Sequence, residues 1–217
     1  MVAVIRLINI RYAIDLYKTG RDEFYLLLIT CLLTLFVGIS QGILIGTLLS
    51  LLLMVIRTSK PHYAILAKVS GTNYYKNISR FETDAKINDN ILIMRFDAQL
   101  FFGNRDYFRK IVFEEIEKKP NLKGFILVAR GITYVDSSGL STLSAMTKSF
   151  QQKGILFMVA GAIGPTRDLL QKSKLTDLIQ EKNMFAKTAD AVDYFKGKVE
   201  PTDVQKKIAS QTNHLYP

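Results

Sequence analysis

The fold is decided by one uncharged stretch, FYLLLITCLLTLFVGISQGILIGTLLSLLLMVI, which occupies Phe24–Ile56. It contains 33 residues without Asp, Glu, Lys or Arg, and twelve of them are Leu. A buried helix in a soluble domain rarely needs more than about 14 apolar residues, whereas a membrane core takes about 20. The stretch is therefore predicted to be embedded in a membrane.

The stretch fits either one tilted span or two short helices. As one straight helix it would be about 50 Å long, whereas the hydrocarbon core is about 30 Å thick. Gly38, Gln41 and Gly42 weaken the helix near its middle and suit a turn. Basic residues precede and follow the stretch, and a hairpin places both flanks on the cytoplasmic side. We therefore predict two transmembrane helices within residues 24–56, each shorter than a full span, with the turn near 38–42.

Small residues recur every fourth position after the turn, at Gly42, Gly46 and Ser50. This spacing places them on one helix face, where another helix can approach closely. We expect this face to pack against a neighbouring membrane helix from outside the hairpin. The alternative is that Gly38 and Gly42 only form the turn and that Gly46 is incidental. The stretch contains no charge, and such a charge is the usual sign of an ion path.

Composition narrows the function of the remaining chain. The net charge is +10, of which residues 57–217 contribute +9. No dense Lys/Arg cluster alternates with aromatic residues, so nucleic acid is not predicted as a partner, and the anionic lipids of the cytoplasmic leaflet explain the basic excess. One cysteine, Cys31, and two distant histidines predict no metal, no cofactor and no Ser-His-Asp triad. We therefore predict that the chain is not an enzyme.

The chain after residue 61 alternates short apolar runs with amphipathic segments, which predicts an α/β domain with a mainly parallel or mixed sheet over residues 62–197. Leu100, Phe101 and Phe102 are predicted to be exposed in a turn, and residues 71–78 to form a loop. Thr188 is predicted to cap the last helix.

The remaining segments are predicted as follows. Residues 1–23 are expected to be the remnant of a membrane helix and a linker, residues 57–80 a connector, and residues 198–217 a disordered polar tail. The predicted strands are residues 63–69, 91–96, 124–128, 155–159 and 184–185.

One loop carries residues that could bind a ligand or be modified. These residues, Asp136, Ser137, Ser138 and Gly139, lie between a strand and a helix. Asp and Ser are preferred helix caps, because their oxygens accept hydrogen bonds from the free first-turn N–H groups. The same helix start could bind an anion or a partner, and a serine there could be phosphorylated. Catalysis is disfavoured, since no His or Lys base is near the serines in sequence. Nucleotide binding is disfavoured as well, because the chain has no Gly-x-x-x-x-Gly-Lys motif.

Residues Val135–Leu140, followed by a helix, a strand and Gly164–Leu170, resemble the STAS domain shared by sulfate transporters and anti-sigma-factor antagonists. Three segments resemble the SulP anion transporters in particular: the apolar hairpin, Arg57–His62 and Phe96–Asn104. The resemblance implies a STAS domain on the cytoplasmic side of the inner membrane in a multi-pass protein.

The same resemblance implies a function and partners. It implies secondary transport of an anion such as sulfate, bicarbonate or a dicarboxylate, with the STAS domain in a regulatory or assembly role. Ser138 matches the serine that is phosphorylated in the antagonists. The implied partners are the rest of the transporter membrane domain, membrane lipids, a second copy of the transporter and a cytoplasmic regulatory protein.

The chain also departs from the SulP pattern. It holds only the last two membrane segments and the remnant of a third, and the family's substrate-binding residues have no counterpart in it. We therefore expect no transport by this chain alone. The alternative function is a membrane-tethered STAS regulatory module that acts through protein contacts and is switched at Ser138.

Overall fold

The chain divides into two compact units that meet in sequence at Arg57 and Thr58. The structure is a computed structural model that describes residues 10–69, 71–78, 85–86 and 89–197. The predictions for residues 1–9 and for the tail 198–217 lie outside the described residues.

The described residues from Ile10 to Ser59 form three helices: α1 (Ile10–Thr19), α2 (Arg21–Phe36) and α3 (Ile39–Ser59). The break between α2 and α3 lies at Val37 and Gly38, and Gly38 has a φ of +134° that side-chain-bearing residues rarely adopt. Residues 41 and 42 are already helical, because the Gly42 N–H donates to the Gly38 carbonyl over 2.9 Å. The helix α3 is consequently 21 residues long, longer than the short helix predicted. Among the described residues, α3 is the helix whose length and apolar composition would let it cross a membrane.

The helices α2 and α3 pack antiparallel through the two glycines of the predicted face. A Cβ built on Gly42 would lie 2.7 Å from the Thr34 backbone, and one on Gly46 would lie 2.7 Å from the Thr30 side chain. Farther from the turn, the Arg57 guanidinium donates to the Glu23 carboxylate over 2.7 Å. Gly42 and Gly46 are thus buried against the chain's own preceding helix, not against an outside neighbour as expected, because the tight turn at Gly38 brings α2 onto them. Ser50, the third residue of that face, is exposed.

The second unit is built on a mixed sheet in the order β2-β1-β4-β5-β6-β7, and β3 pairs with β1. The pairs β4–β5, β5–β6 and β6–β7 are parallel, whereas β1 is antiparallel to β2, β3 and β4. The strands are β1 (Tyr63–Val69), β2 (Tyr75–Asn77), β3 (Ala85–Lys86), β4 (Ile91–Phe96), β5 (Gly124–Val128), β6 (Leu156–Ala160) and β7 (Met184–Phe185).

Among the described residues of this unit, five α-helices pack on the sheet, and apolar residues at helical spacing explain where they pack. On α4, for example, Phe108, Ile111, Val112 and Ile116 are all buried. The rings of Phe125, Phe150 and Phe157 form a cluster with centroids 5.4–5.6 Å apart between the sheet and α5. The helices are α4 (Arg105–Glu117), α5 (Ser137–Gln152), α6 (Gly164–Lys172), α7 (Leu175–Ile179) and α8 (Thr188–Phe195).

Three local predictions are wrong. Leu100 has no exposed surface, although Phe102 is exposed as predicted. Residues 75–77 form β2 instead of a loop, because they pair antiparallel with β1. Thr188 is the first residue of α8 and its side chain makes no cap, since Lys187 occupies the capping position.

Candidate functional site

The candidate site lies where β4 and β5 end, because the carboxyl ends of parallel strands meet at one edge of a sheet. The segments that follow these strands, residues 97–104 and 129–136, are joined by an isolated parallel bridge between Leu100 and Val135. In this bridge the Leu100 N–H donates to the Tyr134 carbonyl over 2.9 Å, and the Asp136 N–H donates to the Leu100 carbonyl over 3.0 Å. The bridge brings the predicted loop against a second loop that the sequence did not connect with it.

Asp136 holds both loops through its two carboxylate oxygens. Oδ1 accepts from the Gly139 N–H over 2.7 Å, which caps the start of α5. Oδ2 accepts from the Phe102 N–H over 2.9 Å. A carboxylate at this position also complements the positive end of the helix dipole. The residue therefore acts as a helix cap and as the anchor of the neighbouring loop.

The three residues after Asp136 occupy different environments. Ser137 is exposed, Ser138 is half-buried and Gly139 is buried. A Cβ on Gly139 would lie 2.7 Å from the Leu100 carbonyl oxygen, so only glycine allows the two loops to approach this closely. In the part of the chain that the structure describes, the Ser138 hydroxyl has no hydrogen-bond partner, although its backbone carbonyl accepts from Thr142 over 2.9 Å. The Ser138 hydroxyl is thus not needed for the fold.

Asn104 is a structural residue of this site that sequence reasoning missed. It is buried, its Oδ1 accepts from the Phe101 N–H over 3.0 Å, and its Nδ2 donates to the Gln99 carbonyl over 2.8 Å. These bonds hold the loop so that the Phe102 ring is 72% exposed. Asn directly before a helix was the available signal, because Asn is a preferred residue there.

A charged cluster at the same edge of the sheet was also missed. The Arg95 guanidinium donates to both oxygens of Asp97, over 2.6 and 2.9 Å, and His62 Nδ1 lies 3.3 Å from Asp97 Oδ2. Burial alone would raise the pKa of the Asp97 carboxyl, but the hydrogen bonds with Arg95 and His62 lower this pKa below its ordinary value. His62 and Asp97 are 35 residues apart in sequence, and only the β1–β4 pairing brings them together.

In the described residues, neither a carboxylate nor an imidazole forms a hydrogen bond with the Ser138 hydroxyl. Near Ser138 the carboxylate of Asp136 is engaged by two backbone N–H groups and is not positioned as a base. Within residues 10–69, 71–78, 85–86 and 89–197, no three His, Cys, Asp or Glu side chains form a group that could hold a metal ion. In the described chain the site presents a hydroxyl without a hydrogen-bond partner at the start of α5, and Asp136 of the same loop anchors the backbone of the exposed Phe102.

Comparison with known proteins gives concordant matches. The family model of the STAS domain matches residues 82–191. Sulfate transporter 1.3 of Arabidopsis thaliana is 28% identical over 200 residues, which cover 88% of this chain and 30% of that protein. High affinity sulfate transporter 1 of Stylosanthes hamata is 26% identical over 201 residues, covering 88% of this chain and 30% of that protein.

A solved structure shares the fold of both units. The murine anion transporter Slc26a9, in its inward-facing state, matches with a TM-score of 0.80 at 18% identity, covering 91% of this chain and 32% of that one. The chain spans about a third of the length of the curated relatives it matches.

Proposed function

Since this chain belongs to the STAS domain family, and since it is similar to SulP sulfate transporters along nearly its whole length, we propose that it works as the C-terminal part of a secondary anion transporter. In this role the helices α2 and α3 are membrane segments, and the STAS domain is a cytoplasmic unit for regulation or assembly. The transported anion belongs to the sulfate, bicarbonate or dicarboxylate class. The partners are the remaining membrane domain of such a transporter, membrane lipids and a second copy of the transporter.

One observation carries this proposal: the similarity to transporters continues from the STAS domain into the apolar helices. A freestanding regulatory STAS protein would need only the second unit. Here the match covers 88% of the chain in the sulfate transporters and 91% in the Slc26a9 structure. The combination of an apolar helix pair and a STAS domain is therefore the feature that points to transport.

The test is a chimera. Residues 10–197 replace the matching C-terminal segment of sulfate transporter 1.3, and sulfate uptake is measured in a yeast strain without sulfate transporters. We expect sulfate uptake above the level of the same transporter truncated before that segment. Its matched control carries Gly42→Leu, which places a large side chain against the Thr34 backbone and should abolish the gain. A chimera that reaches the membrane in normal amounts, yet transports no better than the truncated protein, would contradict the proposal.

A second function is favoured by one specific observation: in the described chain the Ser138 hydroxyl has no hydrogen-bond partner, and it lies in the loop whose Asp136 anchors the Phe102 backbone. We propose that the STAS domain contacts a cytoplasmic regulatory protein at this edge and that phosphorylation of Ser138 switches the contact. A phosphate there would add up to two negative charges close to the Asp136 carboxylate. The added charge would repel the carboxylate that holds the Phe102 loop.

The chimera separates this role from a structural one. Ser138→Ala should leave uptake unchanged, because the hydroxyl makes no hydrogen bond in the described chain, whereas Ser138→Asp should change it by severalfold. Ser137→Asp is the matched control, since Ser137 is exposed at the neighbouring position. Equal uptake for all three variants would remove Ser138 from the regulation of transport.

A further inference from the structure

A groove of about 320 Å³ runs between α4 and α5, on helix surfaces that the proposed function does not use. We name it the α4–α5 groove. One wall is formed by α4, with Arg105 and Arg109, and the other by α5, with Ser141 and Ser149. The remaining residues that line it are Asp106, Phe113, Thr142, Ala145 and Met146.

The cations of this groove are weakly engaged. Arg105 and Arg109 are one helical turn apart, so their side chains lie side by side and their like charges repel. Within the described residues Arg109 has no ion pair, and the one ion pair of Arg105 is a 3.8 Å contact from Nε to Asp106. Lys153 adds a third positive charge nearby, since its Nζ lies 5.3 Å from the centroid of the Phe113 ring. An anion between the two arginines would relieve their repulsion.

The opposite wall supplies neutral donors. In the described part of the chain, the hydroxyls of Ser141 and Ser149 have no hydrogen-bond partner. The hydroxyl of Thr142 is different, because it already donates to the Ser138 carbonyl over 2.9 Å. A ligand in the groove can therefore accept bonds from guanidinium groups on one side and from hydroxyl groups on the other.

From these donors we infer that the α4–α5 groove binds a tetrahedral oxyanion, sulfate or phosphate, either free or as a group on a larger molecule. A planar carboxylate directs its oxygens toward one guanidinium, which it binds in a bidentate manner. A tetrahedral anion directs oxygens toward both walls at once, which matches donors placed on two facing helices. The site is separate from the Ser138 hydroxyl and does not depend on the proposed transport role.

The experiment measures binding of radiolabelled sulfate to the full chain in detergent micelles, at an ionic strength held constant with chloride. We expect saturable binding of about one sulfate per chain, displaced by phosphate and not by chloride. Phenyl phosphate tests whether the natural ligand is a free anion or a group on a larger molecule. Displacement of sulfate by phenyl phosphate at concentrations well below those needed with inorganic phosphate indicates a group on a larger molecule. Displacement of sulfate by both compounds at equal concentrations indicates the free ion. Absence of saturable sulfate and phosphate binding would overturn the inference.

Removing a positive charge and removing a negative charge from the groove should change sulfate binding in opposite directions, which tests whether the anion binds there. Arg109→Gln should weaken binding about tenfold or more, the range expected when a charge-assisted hydrogen bond is lost. Asp106→Asn should tighten binding severalfold, because it removes the repelling carboxylate and frees Arg105. Lys172→Gln removes one positive charge from an exposed position of α6, a helix that does not line the groove, and should change binding less than twofold. Equal effects of Arg109→Gln and Lys172→Gln, or weaker binding in Asp106→Asn, would overturn the assignment to this groove.

Discussion

At the scale of single residues, Asp136 connects two parts of the STAS domain that are far apart in sequence. Its two oxygens accept from Gly139 and from Phe102, which lies 34 residues earlier in the chain. One oxygen stabilises the start of α5, and the other fixes the loop between β4 and α4. A single substitution at this residue should therefore disturb both elements.

Asp136→Ala is expected to destabilise the STAS domain by about 1–3 kcal/mol, because a helix cap and a second hydrogen bond to a charged acceptor are lost together. Denaturant unfolding followed by circular dichroism measures the change. Asp168→Ala, which removes an exposed carboxylate from α6, is the control and should be close to neutral. A loss of stability no greater than that of the control would show that solvent replaces both bonds.

The second prediction at this scale concerns pH and Asp97. The pKa of this carboxyl is lowered in the folded protein, so its ion pair with Arg95 adds stability above the unfolded pKa of about 3.9. That contribution disappears as the pH falls from about 3.9 through the lower folded pKa. Asp97→Asn should consequently be less stable than the original protein at pH 7, and this difference in unfolding free energy should shrink as the pH falls below about 3.9.

Unfolding free energies of the two proteins, measured in urea across this pH range, provide the test. Asp193→Asn, on α8, serves as a control for the removal of a carboxylate outside the cluster. A constant difference between Asp97→Asn and the original protein down to pH 2 would mean that the carboxylate charge contributes nothing.

At the scale of elements, the sequence predicted most strands of the STAS domain. The strands β4 and β5 have the predicted bounds, because runs of mostly apolar residues suit strands covered on both faces. It missed β2, whose residues Tyr75–Asn77 carry no apolar pattern and are strand only through pairing with β1. The sequence also predicts Leu100 to be exposed, although it is buried. Its burial depends on the bridge to Val135, 35 positions away, which no local pattern indicates.

The candidate site was predictable only in part for the same reason. The cap residue Asp136 has a local signature, an acceptor just before an amphipathic helix. The second bond of Asp136, to Phe102, depends on which strands are neighbours in the sheet. The His62–Asp97 contact likewise requires the register of β1 against β4. Local sequence patterns therefore predicted the loop itself. Its contacts were not predictable, because they depend on the order of the strands in the sheet.

The helix pair α2 and α3 allows a direct test by cross-linking. A Cβ on Gly46 would lie 3.3 Å from the Thr30 Cβ, close to the separation of about 3.8 Å found in disulfides. In a Cys31→Ser background, the double substitution Thr30→Cys with Gly46→Cys should form a disulfide under mild oxidation. Thr30→Cys with Leu48→Cys is the control, because Leu48 is exposed on another face of α3. Thiol labelling of the denatured protein counts the remaining free cysteines, and equal labelling of both pairs would contradict the packing.

At the scale of the whole molecule, the apolar helices present most of their surface outward. No residue of α2 is buried, and the buried residues of α3 are Gly42 and Gly46. In the proposed role, lipid and the further membrane helices of the transporter would cover this outward surface. We therefore expect that the chain reconstituted alone in liposomes shows no saturable sulfate uptake. Liposomes containing a complete sulfate transporter are the positive control, and saturable uptake by this chain would contradict the expectation.

The position of β5 has a further consequence for all of these stability measurements. This strand is paired on both edges, with β4 and β6, and every one of its residues is buried. Amide protons in such a strand exchange with solvent only when the whole unit opens. Hydrogen–deuterium exchange at Phe125–Val128 therefore reports the global opening free energy of the STAS domain under native conditions. Each variant can be ranked in this way inside a lipid nanodisc, without a denaturant that would also extract the apolar helices.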